Sequence, residues 1–139
     1  MGLTAVVYRN SNTLKAIHGD DAFCVDPETG EATPTADFQA LDPRPGYVAL
    51  EVRLGNIDEV GTVRNQFVVL ISDESILLKR ILYSATHSGD FISVVEFPQL
   101  ASELARIRSA GDSHVSTFVK SIEVLVAAAA RESNPIVFV

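Results

Sequence analysis

The segment Ser113–Val139, SHVSTFVKSIEVLVAAAARESNPIVFV, decides the fold class. Val115, Phe118, Val119, Ile122, Leu125, Val126 and Ala129 recur at the three- and four-residue spacing that aligns one face of an α-helix, which predicts a core helix beginning at Asp112-Ser113. Asn134-Pro135 ends it, because the proline ring crowds the preceding residue out of the α region. Ile136-Val137-Phe138-Val139 then reads as a terminal strand. Upstream, Pro98 suits the first turn of another helix, where its missing N–H would lack a partner anyway, and Leu100, Leu104 and Ile107 supply an apolar face up to a stop at Gly111.

The N-terminal half changes period. Leu3 to Arg9, LTAVVYR, is rich in β-branched and aromatic residues and predicts a first strand, with a turn at Asn10-Ser11-Asn12. Ala22–Val25 and Glu31–Pro34 flank Asp26-Pro27-Glu28-Thr29-Gly30, a hairpin by turn chemistry: Pro27 presets φ, and Gly30 supplies the positive φ that returns the chain. An irregular connection with Pro34, Pro43 and Pro45 leads to a strand, Tyr47–Arg53, alternating around Glu51 and Arg53.

Between the halves, Ile57, Val60, Val63, Phe67 and Ile71 have helical spacing, and Asn56 with Glu59 three residues on resembles a capping box; a strand over Phe67–Ile71 is the competing reading. Ser72-Asp73-Glu74 suits the positive N-terminus of a further helix through Ile76 and Leu82. A polar loop, Ser84–Asp90, precedes a short extended piece over Phe91–Val95. The expected architecture is a single α+β domain over residues 1–139. Mostly antiparallel strands and a hairpin come first, then a helix-rich C-terminal half and a terminal strand.

A chain of 139 residues is near the modal domain size, and a composition of 47% apolar and 21% charged residues excludes a disordered chain. The richest apolar window, Ile122–Ala130, is nine residues and contains Glu123, well short of the ~20 that cross a bilayer. No basic region followed by an apolar run opens the sequence, and Val6 stands where a myristoylation motif needs Ser or Thr, so a cytoplasmic location is expected. Cys24, the sole cysteine, lies in the apolar run Ala22–Val25 and is expected to be a buried, inert thiol with no intrachain disulfide.

The net charge of -7 is localised. Residues 16–43 hold Asp20, Asp21, Asp26, Glu28, Glu31, Asp37 and Asp42 and no Lys or Arg, so the rest of the chain balances 11 acids against 11 bases. Loops and turns collect carboxylates for solubility, which is one explanation. The other is a concentrated negative field that captures a basic protein partner. Direct nucleic-acid binding is disfavoured, because basic residues cluster only at Lys79-Arg80 and Arg106/Arg108. A calcium loop lacks its closing Glu, and no metal or other cofactor is expected.

Each histidine sits beside a Gly-Asp pair: His18-Gly19-Asp20, His87-Ser88-Gly89-Asp90 and Gly111-Asp112-Ser113-His114. Three such loops meeting at one sheet end could assemble a polar site from His18, His87, Asp90 and His114, with the His87 imidazole as base and Asp90 orienting it. That defines the alternative, a small hydrolase or metal-dependent enzyme. Against it, Gly-Asp is ordinary helix-end punctuation, and no nucleophile elbow or phosphate-cradling glycine loop occurs. The sequence therefore predicts no catalytic residue.

The strand-first acidic plan, the helix-rich second half, the loop Thr86-His87-Ser88-Gly89-Asp90 and the tail Asn134–Val139 resemble small bacterial immunity proteins encoded beside polymorphic toxins. The resemblance implies a stoichiometric inhibitor that covers the active site of a toxin domain, often a basic nuclease. It carries no functional residue across.

Overall fold

The apolar stripe of the C-terminal segment becomes the buried face of a 20-residue helix, Ser113–Glu132, in a computed structural model that describes residues 2–19, 23–34, 48–72, 74–82, 91–108 and 113–139. Elements run β1 (Gly2–Tyr8), α1 (Ser11–His18), β2 (Phe23–Val25), β3 (Ala32–Pro34), β4 (Val48–Asn56), α2 (Ile57–Phe67) and a π-helical turn at Leu77–Leu82. β5 (Phe91–Ile92), a 3-10 turn (Val94–Glu96), α3 (Phe97–Ile107), α4 (Ser113–Glu132) and β6 (Ile136–Phe138) complete the α+β arrangement. The main sheet has the order β4-β1-β6-β5, antiparallel throughout, and β2 pairs with β3 in a separate ribbon.

Strand alternation divides β1 between two apolar clusters. Leu3, Ala5 and Val7 join Phe67, Leu100, Leu104, Ile107 and the buried stripe of α4 in the main core, whereas Val6 and Tyr8 pack with Val137 in a second cluster. Phe67 and Phe118 meet edge to face at 5.7 Å between ring centroids, an arrangement worth ~0.5–1.5 kcal/mol beyond area burial.

Several expectations are corrected. The predicted turn after β1 is the start of α1, where Asn10 caps the helix by accepting the Asn12 N–H at 2.9 Å. Asn and Ser suit turns and caps alike, which is why the local signal misled. The helix expected through Ile71 stops at Phe67 and the chain turns, leaving Val69 81% exposed; neither the longer helix nor the strand forms. The next helix winds as a π turn. Of the extended piece 91–95, only Phe91–Ile92 pairs. Cys24 is exposed rather than buried, because it lies in the β2–β3 ribbon, outside the main sheet, while its neighbour Val25 is half-buried.

Other local signals hold. Asn56 and Glu59 form a reciprocal capping box at the start of α2, and Pro98 lies in the first turn of α3. The hairpin forms, with the Asp26 N–H donating to the Glu31 carbonyl at 2.9 Å. Its turn does not stand away from the body: Thr29 and Gly30 are buried, and a Cβ built on Gly30 would lie 2.5 Å from Asn134 Oδ1. Asn134 cannot easily yield, since its amide donates to the Tyr8 and Arg9 carbonyls at 2.8 and 3.1 Å. Asn10 anchors the same corner, donating through its side chain to the Glu132 carbonyl and through its backbone to the Glu132 carboxylate.

α4 ends three residues before Pro135, through a Schellman closure. Ser133 adopts φ 54°, and the Asn134 N–H donates to the Ala129 carbonyl at 3.2 Å. A left-handed non-glycine residue carries a local cost of ~1 kcal/mol. Ser133→Gly is therefore expected to stabilise the protein by ~0.5–1 kcal/mol in urea unfolding; a loss of stability would contradict the left-handed closure. Gly30→Ala, strained at φ +73° and pressed against Asn134, is expected to cost ~2 kcal/mol or more. Combining it with Asn134→Ala should cost less than the two single losses together, and strict additivity in that cycle would refute the contact.

Candidate functional site

Hairpin geometry decides how much of the acidic segment is available to a partner. Asp26 Oδ1 accepts the Glu28 and Thr29 N–H groups at 2.7 and 3.3 Å, and Thr29 Oγ1 accepts the Glu31 N–H at 3.1 Å. These bonds hold the turn while Asp26, Glu28 and Glu31 remain exposed. Among the described residues none of the three carboxylates is ion-paired. Ion pairs lie elsewhere, as between Lys79 and Glu74 and between Arg108 and Glu123. Arg9, whose carbonyl is held by the Asn134 that abuts Gly30, pairs with none of them among the described residues, and its buried Nε lacks a hydrogen-bond partner there. Asp20, Asp21, Asp37 and Asp42 lie outside the described residues.

The histidine hypothesis fares differently. His87 and Asp90 lie outside the described residues, while His18 ends α1 and His114 is an exposed residue in the first turn of α4. The start of α1 is tied by Asn10 to Glu132, which closes α4 ~27 Å along the helix from His114 at 1.5 Å per residue. The described residues thus set His18 and His114 on separate helices whose tied ends are remote from His114. Among the described residues no three His, Cys, Asp or Glu side chains group closely enough to hold a metal ion.

A carboxylate unnoticed in the sequence is the buried one. Glu103 sits on the apolar stripe of α3 between Leu100 and Leu104 and borders a pocket of about 270 Å³ lined also by Ser72, Gln99 and Arg106. Its Oε1 accepts the Leu77 N–H and its Oε2 the Ile76 N–H, both at 3.0 Å, and Gln99 Nε2 donates to Oε2 at 3.1 Å. Ser75 Oγ accepts the Leu78 N–H at 3.3 Å. Glu103 and Ser75 together satisfy the orphan donors at the start of the π turn, a structural duty that occupies both carboxylate oxygens. An acid at an i+3 position within Leu100–Ile107 was the available signal.

No helix among the described residues is long and apolar enough to cross a membrane. A scan against protein-family models, a search of curated proteins and a search of solved structures each find no match to this chain.

Glu103→Ala should cost ~2–4 kcal/mol in urea unfolding, because it strands two buried N–H donors at ~1–3 kcal/mol each. Glu103→Gln keeps one acceptor oxygen and should lose less. Equal losses for the two variants would contradict the capping role.

Proposed function

We propose that this chain is a non-enzymatic binding protein, an inhibitor of the immunity-protein kind, that captures a basic protein partner such as a toxin domain through the segment Asp20–Asp42. The carrying observation is the exposure of Asp26, Glu28 and Glu31 on a hydrogen-bonded turn, free of internal basic partners among the described residues. Charges held within one Debye length, ~10 Å at 0.1 M salt, act on an approaching ligand as a group. Such a field accelerates encounter more than it strengthens the final complex.

The docked turn supports the same reading. A hairpin fixed at Gly30 against Asn134 presents its carboxylates from one held backbone, so less backbone ordering entropy is lost on binding than from a loose acidic loop. The rest of the chain, with 11 acids and 11 bases, adds little net field of its own.

The test uses the basic protein encoded beside this chain, or one captured from the native host, with association followed by stopped flow. Neutralising Asp20, Asp21, Asp26 and Glu28 together as Asp→Asn and Glu→Gln preserves the turn, because an amide oxygen at position 26 still accepts the Glu28 and Thr29 N–H groups. Association should slow several-fold at low salt, and the difference should shrink at ~0.5 M salt. An unchanged rate, or a partner without basic character, removes the proposal.

A further inference from the structure

β4 is the nine-residue edge of the main sheet, and among the described residues no strand pairs with its outer side. A strand with one free ladder is a template for another chain unless its chemistry opposes pairing. The direction of its backbone groups follows from the far side of β1. The Val139 N–H donates to the Thr4 carbonyl at 3.0 Å, so Thr4 and Val6 address β6, while Ala5 and Val7 address β4. Ala5 and Val7 lie opposite Val52 and Leu50. The N–H and C=O groups of Glu51 and Arg53 therefore point outward, into the free ladder.

We infer that β4 pairs antiparallel with β4 of a second copy of this chain, about a two-fold axis through Val52. Ladder parity allows only axes that place outward-facing residues opposite one another. An axis at Glu51 would set Glu51 against the partner's Glu51, and an axis at Arg53 would set Arg53 against the partner's Arg53. An axis at Val52 sets Glu51 against the partner's Arg53 and Arg53 against the partner's Glu51. Val52 is also the midpoint of Val48–Asn56, so the charge-matched register is the one that overlaps the whole strand.

Burial agrees with this register. Glu51 and Arg53 are exposed, and neither has an ion pair or side-chain hydrogen bond among the described residues. Arg53 lies over Gly2, where a Cβ would approach its Nη2 to 3.2 Å and the Gly55 carbonyl oxygen to 2.8 Å. On the helix-bearing side, half-buried Val52 would meet the partner's Val52 and Leu50 the partner's Leu54. Irregularities leave Ala49 and Leu54 unpaired with β1 and confine the regular ladder to the Leu50–Arg53 centre. The interface is accordingly small. This inference does not rest on the acidic segment.

Sedimentation velocity at roughly 200 µM suits an interface of this size. The wild-type chain should sediment as a dimer, and E51R and R53E should each be monomeric, with circular dichroism confirming their fold. An equimolar mixture of E51R and R53E should recover the dimer, because one chain then presents two guanidinium groups at the central pair of positions and the other presents two carboxylates. The double exchange E51R/R53E should dimerise alone, which keeps the test sound should a single variant unfold. A monomeric wild type, an undiminished dimer of folded E51R, or a mixture that stays monomeric would each overturn the inference.

Discussion

Strand β1 is hydrogen-bonded along both edges, to β4 on one side and to β6 on the other, and the remaining elements take their places from those two pairings. Only Ser133 to Pro135 separate β6 from α4, so pairing the last strand with the first sets the long helix over Leu3, Ala5 and Val7. The corner that results is held by polar groups. Asn10, Glu132 and Asn134 supply hydrogen bonds between the end of β1 and the end of α4, where short connections would otherwise leave carbonyls unpaired. A long-range pairing of this kind must overcome the closure entropy of nearly the whole chain, which the apolar face of α4 offsets as it docks.

The same corner links the fold to the proposed activity. Gly30 fits against Asn134 because it lacks a side chain, and its left-handed backbone brings the acidic hairpin down onto the α4–β6 junction. The carboxylates of Asp26, Glu28 and Glu31 then share a rigid base with the sheet instead of trailing from a loop. Acidity at this place costs the fold little, because exposed charges keep their hydration. The buried carboxylate of Glu103 follows the opposite rule and is satisfied by two backbone N–H groups and Gln99.

What was legible in the residues was periodic or stereochemical. The stripe Val115–Ala129, the capping pair Asn56 and Glu59, Pro98 and the turn Asp26–Gly30 all act within a few residues, so each has a local consequence that survives folding. The concentration of charge in residues 16–43 was equally plain from composition. Illegible were the features whose energy comes from distant partners. Asn10 could open a turn or a helix, and contact with Glu132, 122 residues away, favours the helix. Cys24 lies in an apolar run, yet it belongs to a ribbon outside the main sheet and remains exposed. Glu103 is satisfied by the N–H groups of Ile76 and Leu77, 27 and 26 residues away, which no local pattern announces.

By itself the sequence determined an α+β chain with its best helix near the end, a glycine-closed hairpin and one strongly negative segment, because period, φ preference and charge are properties of neighbouring residues. Tertiary structure alone decided the strand order β4-β1-β6-β5, the docking of Gly30 on Asn134 and the outward direction of the Glu51 and Arg53 backbone groups. Those depend on which edges and faces meet across the whole chain, and no local preference encodes that choice.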